Sequence, residues 1–396
     1  MSGQPVAAKP ALLVLVAIST LQPIALNLLA PATPAVARHF GTNYATIQLT
    51  LTLYLVSVAL IQLLIGPLSD RFGRRPCVNA GIIVFILGSI LGALAPTTEV
   101  LLAARVLEGA GAGTTFALAR AIIRDSAHRD EAASQIASVT MVMVVAPMIA
   151  PYLGGHIETW FGWRMIFWAM TAAGVLVLLL TAARLPETAP NVGVRTSLLG
   201  VFRSFPLLAL DREFIVNVIA LSMTSAAFFA FVAGAPFIVV ETMGRGSDVY
   251  GAYFILSAFG YMVGNFAMSR LAVRRGAAPL VRTGLIISVV MMSIAMLFAM
   301  SDYWTPLTLF LPLAISSVGN GLTIPGAAAA ALSAKPELAG SAAGLMGAIQ
   351  LGVGALATIV ISWLVILWPQ SLIATMWLMM AIGLFSLRFS SFRRHS

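Results

Sequence analysis

The sequence predicts an all-α integral membrane protein: twelve transmembrane helices arranged as two pseudo-symmetric six-helix bundles. Three observations carry that expectation. The 396 residues are 60% hydrophobic and only 9% charged, where a soluble globular domain is about a quarter charged. Mean hydropathy is +0.97, and apolar runs of about 18 residues or more recur from end to end, each long enough for a helix to cross the hydrocarbon of a bilayer. Basic residues gather on alternate connections between those runs, as the positive-inside rule requires.

Taken in order, the spans are expected at 11–30, 46–67, 76–94, 100–120, 137–152, 165–183, 214–239, 250–268, 280–300, 307–330, 339–364 and 371–387. Only Lys9 precedes the first run and no persuasive cleavage site follows it, so the first helix is read as retained and not as a removed signal. Connections on one side hold Arg71, Arg74 and Arg75, then Arg124 and Arg129, then Arg184 to Arg212, then Arg270, Arg274 and Arg275, Lys335, and finally Arg393 and Arg394. Those on the other side hold only Arg38, Arg164 and Arg245. Both termini are therefore expected in the cytoplasm. The net charge of +9 is spread over these loops and forms no single basic patch, which argues against a nucleic-acid partner. Cys77 is the one cysteine, so no internal disulfide is possible.

The longest connection, 184–213, contains Pro186, Pro190, Asn191 and Gly193, with an amphipathic piece near 198–210 that suits a membrane surface. It separates an expected N-terminal bundle, 1–183, from a C-terminal bundle, 214–396. The halves echo one another. Gly66-Pro-Leu-Ser-Asp-Arg-Phe-Gly-Arg-Arg75 is expected to close span two through Gly66 and Pro67. A stretch from Gly264 to Gly276, with Arg270, Arg274 and Arg275 but no Asp, closes span eight. Two similar halves around a shared site is a transporter arrangement.

Span four carries Arg105 and Glu108 inside an apolar run. A charge near mid-bilayer costs roughly 2.5–3.5 kcal/mol on insertion scales, and two charges three apart share a helix face. That face is expected to line a polar interior. The pair is either a functional centre, with Glu108 exchanging a proton against a ligand, or a structural ion pair; Arg before Glu is the poorer order for a bond along one helix. Gly66, Asp70, Arg71, Gly73, Arg74 and Arg75 read on their own as a positive-inside topology anchor; a conformational gate there is what family resemblance implies. Pro147, Pro151, Gly154 and Gly155 on span five predict a kinked, closely packed helix.

These strings resemble the major facilitator superfamily. GPLSDRFGRRP is similar to its signature between helices two and three, which in that family locks the halves together on the cytoplasmic side. Arg105-Val-Leu-Glu-Gly109 resembles its helix-four motif, with Glu108 where Gln is usual. Ala146-Pro147-Met-Ile-Ala-Pro151-Tyr-Leu-Gly154-Gly155 is similar to its antiporter motif, which implies an exporter. Ile47–Pro76, Phe161–Trp168, Pro186-Glu187-Thr188 and Ala339–Leu356 resemble the Bcr/CflA branch of bacterial drug/proton antiporters. Relatives commonly carry an Asp on helix one, whereas this chain has Asn27, ahead of Pro31 and Pro34. Asn cannot titrate, so either Glu108 does that work or coupling is weaker.

Gln22 and Asn27 can hold a ligand from one helix face or bond neighbouring helices. Tyr54, Asn217, Tyr261, Asn320 and Gln350 are further candidates, and Asn320 lies on span ten, the repeat partner of span four. Phe228, Phe229 and Phe231, with Met141, Met143 and Met148, suit varied apolar ligands or plain packing. His39, His128, His156 and His395 are placed in loops or tails. No metal cluster, phosphate loop or nucleophile–base constellation is legible, so an enzyme, a metal site and a bound cofactor are not expected. The resemblance implies a monomer in the bacterial inner membrane that exports small amphipathic drugs or metabolites by alternating access, with the proton as coupling ion. A sugar or metabolite exporter, or an uncoupled facilitator of the same fold, is the alternative.

Overall fold

The computed structural model describes residues 11–126, 147, 149–189, 205–335 and 338–389. Helix α1 (Leu12–Leu28) runs through a 3₁₀ turn at Ala30–Ala32 into α2 (Thr33–Phe40), with Pro31 and Pro34 at the starts of the latter two elements. It is followed by α3 (Tyr44–Phe72), α4 (Arg74–Ala93), α5 (Thr98–Ser126), α6 (149–161) and α7 (Arg164–Arg184). After a short α8 (205–209) come α9 (Arg212–Phe237), which ends in a π turn at Ile238–Thr242, and α10 (Ser247–Arg275). The last four are α11 (Ala277–Ala299), α12 (Pro306–Ala334), α13 (Ala339–Leu367) and α14 (Ser371–Ser386). Among the described residues there is no strand, and 11 spans are long and apolar enough to cross a membrane. Most of the expected fifth span lies outside the described residues. Its described end continues to 161, so His156 is helical, and His39 lies in α2 rather than in a loop.

One expected boundary is corrected. Gly66 and Pro67 do not end span two; α3 continues through them to Phe72. Proline removes one backbone hydrogen bond, a loss a membrane helix tolerates where neighbours accommodate it. The break falls at Gly73, whose φ of 95° and ψ of 152° are open essentially only to glycine, and α4 starts at the next residue. The second half repeats this: α10 ends at Arg275, Gly276 takes φ 76° and ψ 160°, and α11 starts at Ala277. Both turns carry arginines and define a basic end of the molecule.

Helix α5 packs on α1, α3 and α4, while α7 lies on α4 and α1. In the later part α12 packs on α9, α10 and α11, and α9 on α13 and α14. The two groups meet chiefly along α3 and α13. Among the described residues three polar contacts cross that seam, each at mid-depth or toward the end opposite the basic turns. Arg38 pairs with Glu241, Tyr44 Oη donates to the Ala233 carbonyl at 2.6 Å, and the Thr52 and Thr358 hydroxyls meet at 2.6 Å. There α6 and α10 also touch backbone to backbone. A Cβ on Gly155 would lie 2.5 Å from the Ser247 carbonyl oxygen, and one on Gly251 would lie 2.5 Å from that of Pro151. The seam is closed at this end. Nearer the basic end, six consecutive residues of α13, Leu345 to Gln350, are half-buried, so the helix borders open space on more than one side.

Candidate functional site

The apolar flanks of α5 place Arg105 and Glu108 inside the first helix group, their side chains 1% and 0% exposed. Neither faces lipid. Arg105 Nη1 donates to Glu108 Oε2 at 2.6 Å, so the intrahelical pair forms despite its less favourable order. Burial explains this: in a low dielectric the attraction is strong and neither charge has water as an alternative. Arg105 Nη2 donates to the Ala25 carbonyl of α1 at 3.2 Å, and Nε to the Thr50 carbonyl of α3 at 3.4 Å. Its guanidinium lies 4.4 Å from the centre of the Tyr54 ring, a cation–π contact. Tyr54 Oη in turn donates to the Gln22 carbonyl at 2.9 Å. Behind the pair, Ser89 Oγ of α4 donates to Glu108 Oε1 at 2.7 Å.

Arg105 also reaches the seam. A cavity with room for about one water is lined by Leu26, Leu29, Ala30, Thr33, Gln48, Thr50, Leu51 and Arg105, and by Val232 of α9 from the other helix group. Gln48 Nε2 donates to Thr33 Oγ1 at 3.2 Å, while Gln48 Oε1 is buried and has no hydrogen-bond partner. Drug-sized ligands occupy pockets of about 300–1,000 Å³, so such a ligand fits beside Arg105 only if α9 separates from α1 and α3.

The other candidates are dispersed. Gln22 Oε1 accepts from Gln62 Nε2 of α3 at 3.4 Å. Asn27 donates to its own Pro23 carbonyl at 2.8 Å, and its Oδ1 has no partner. Five residues apart, these two lie about 140° apart around the helix, so the expected common face does not exist. Asn320 Oδ1 accepts from Ser288 Oγ of α11 at 3.4 Å and so faces its own helix group. Gln350 donates to Ser225 Oγ of α9 at 2.7 Å. Phe228 is half-buried, edge-on to Phe229 at 5.7 Å and Phe254 at 6.5 Å. Phe229 and Phe231 are buried, and Phe231 stacks on Phe254 at 5.6 Å, which is helix packing. Met141, Met143 and Met148 lie outside the described residues.

At the basic end Arg74 is the hub. Its Nη2 pairs with Asp70 Oδ1 at 2.7 Å, its Nε with Asp125 Oδ2 of α5 at 2.9 Å, and its Nη1 donates to Ser69. Glu187, from the Pro186-Glu187-Thr188 string, accepts the Arg74 N–H at 2.8 Å and the Arg75 N–H at 3.2 Å, capping α4. Arg75 Nη2 donates to the Ala182 carbonyl at 2.9 Å, and Arg71 lies 5.1 Å from the Phe72 ring centre. On α6, Gly154 abuts the Leu28 carbonyl while Gly155 meets α10. Sequence reasoning missed Ser89, Gln48 and Asp125. A serine in an apolar helix gives no signal of its own, whereas Gln48 offered the same one as Gln22: an amide in a membrane span.

A helix bundle of this topology, with a buried charged pair at its seam and arginine-flanked turns, has the make-up of a membrane transporter. The profile of the Major Facilitator Superfamily matches residues 15–358, and the chain belongs to that family. It is a multi-pass membrane protein of a transporter family and not an enzyme. The chain is 30% identical over 343 residues to the uncharacterized MFS-type transporter YdgK of Bacillus subtilis, covering 86% of this chain and 85% of that one. It is 28% identical over 351 residues to the bicyclomycin resistance protein homolog of Haemophilus influenzae, with 86% and 85% covered. That relative accords with the Bcr/CflA resemblance. A crystal structure of a bacterial homolog of the human lysosomal transporter Spinster superposes with a TM-score of 0.74 at 16% identity, over 97% of this chain and 98% of that one. It shares the fold.

Proposed function

We propose that the protein exports small amphipathic molecules across the bacterial inner membrane in exchange for protons, by rocking of two helix bundles about the Arg105 cavity. The observation that carries this reading is the buried Arg105–Glu108 pair, with its arginine in the wall of the seam and its carboxyl sealed behind. When Glu108 is ionised the pair is neutral and the cavity tolerates a cationic or polar ligand. When Glu108 is protonated, the guanidinium charge stands alone beside the cavity and opposes a cation. Proton and ligand therefore exclude one another by charge, which is what antiport requires. One-for-one exchange of a proton against a monovalent cation moves no net charge, so the pH difference drives it, and one pH unit is worth about 1.4 kcal/mol, a tenfold gradient of ligand.

The arginine count supports a cytoplasmic position for the basic end and both termini. A seam closed at the opposite end then corresponds to an inward-facing arrangement, and the turn that carries Asp70, Arg71, Arg74 and Arg75 meets the second bundle when the molecule turns outward. The chain acts as a monomer in this reading, with the lipid bilayer as its surroundings. Asn27, in a position where relatives carry an acid, favours a second reading: an uncoupled facilitator or metabolite exporter.

The two separate in proteoliposomes with an imposed pH gradient, using ethidium as a cationic amphipathic probe. Wild-type protein is expected to move ethidium against its gradient and to release protons on probe addition, and Glu108→Gln to retain passive probe movement with proton flux abolished. Undiminished pH-driven uptake by Glu108→Gln would remove Glu108 from the mechanism, and wild-type probe movement without proton flux would favour the facilitator.

A further inference from the structure

Glu108 is enclosed on the α4 side by one serine. Ser89 is fully buried, and its Oγ has two oxygens within reach: the Phe85 carbonyl one turn back at 3.0 Å and Glu108 Oε1 at 2.7 Å. A hydroxyl has one hydrogen and two acceptor sites, so Ser89 can donate to only one of these oxygens at a time. With Glu108 ionised, the serine hydrogen points at the carboxylate, whose other oxygen accepts from Arg105. With a proton on Oε1 the direction reverses. The carboxyl O–H donates to Ser89 Oγ, the serine hydrogen turns to the Phe85 carbonyl, and Oε2 keeps its bond from Arg105. Every polar atom of the carboxyl is paired in both states.

We infer that Ser89 is a hydrogen-bond switch that lets Glu108 hold either protonation state inside a closed helix bundle, and so is the positioning residue for the coupling carboxyl. The inference rests on the reading of Glu108 as the proton site. The charged and titratable groups facing Glu108 among the described residues are Arg105 on its own helix and Tyr54 from α3. Helix α1 contributes a carbonyl, α4 contributes Ser89, and the arginines of α4 and α7 sit at the helix ends. The second helix group holds a neutral counterpart. Ser288 Oγ has the Ser316 carbonyl at 3.1 Å and Asn320 Oδ1 at 3.4 Å. Both of its acceptors lie on α12 and neither can titrate, so no protonation change reverses that bond.

A serine bonded only to its own helix would be ordinary back-bonding, and the test must tell that from a switch. Infrared pH-difference spectra of the protein in lipid vesicles report the carbonyl stretch of protonated carboxyls without any ligand. The wild type is expected to show a titrating band that Glu108→Gln removes. Ser89→Ala should displace that band and shift its midpoint by about one pH unit, the scale of one lost charge-assisted hydrogen bond, and Ser89→Thr should restore both. A Glu108 band unchanged in position and midpoint in Ser89→Ala overturns the switch and leaves the proton site standing. A wild type with no band assignable to Glu108 at any pH the protein tolerates removes both.

Discussion

Arg105 does work that no other cation can do in its place. Its planar fork meets Glu108, the Ala25 carbonyl and the Thr50 carbonyl at once, and its face covers Tyr54. A lysine would keep the charge beside Glu108 but lacks the fork to reach both carbonyls. Arg105→Lys is therefore expected to fold, and to lose at least about tenfold in proton-coupled ethidium transport, the effect of about 1.4 kcal/mol. Arg105→Ala leaves a buried carboxylate without its partner, which costs about 3–5 kcal/mol, so it should unfold at a clearly lower temperature in detergent than Arg105→Lys. Equal unfolding temperatures would mean that the pair contributes nothing to the bundle. The pair was legible in the sequence because a charge in an apolar run is rare and two at helical spacing share a face. Ser89 was not singled out, because what makes it matter is a partner on a neighbouring helix that only packing reveals.

At the scale of elements, the paired hinges show what a motif can and cannot tell. Gly73 and Gly276 each hold a backbone conformation that costs a side-chain-bearing residue about 1–3 kcal/mol. They differ in surroundings. A Cβ on Gly73 would lie 2.6 Å from Glu187 Oε2, whereas on Gly276 the nearest atom is Pro279 Cδ at 3.9 Å. Gly276→Ala should show the backbone strain alone. Gly73→Ala should show the same strain and also displace the carboxylate that caps α4 and seats Arg74, so its loss of thermal stability should be the greater. Glu187→Gln, which keeps the shape and removes the charge, should recover only part of the capping effect at a native Gly73. Glycine and proline in GPLSDRFGRRP suggested a loop from Gly66 onward. The helix runs on because Pro67 sacrifices a single bond while the flanking residues continue the helical run, and only the φ at Gly73 stops it.

For the whole molecule, recurrent apolar runs made the spans readable, because their length and character follow from the bilayer as solvent. How the groups meet was not readable. The contacts across the seam join residues far apart in the chain, Arg38 to Glu241, Tyr44 to Ala233 and Thr52 to Thr358, and no local pattern announces such pairs. Of these, Arg38–Glu241 is the most exposed, with side chains 57% and 38% accessible. An exposed pair contributes only about 0–1 kcal/mol, so Glu241→Gln should leave folding and transport nearly unchanged. Its position is what matters, since the proposed alternating access requires the closed end to part between α2 and the π turn after α9. A covalent bond at that place should stop the cycle where a weak ion pair does not. In a Cys77→Ala background, Arg38→Cys with Glu241→Cys is expected to transport ethidium when reduced, to lose transport on oxidation, and to regain it with reductant, each single cysteine variant being insensitive. If the oxidised, crosslinked protein transports at the reduced rate, the two bundles do not separate at that end, and the substrate must leave by a path that does not part α2 from α9.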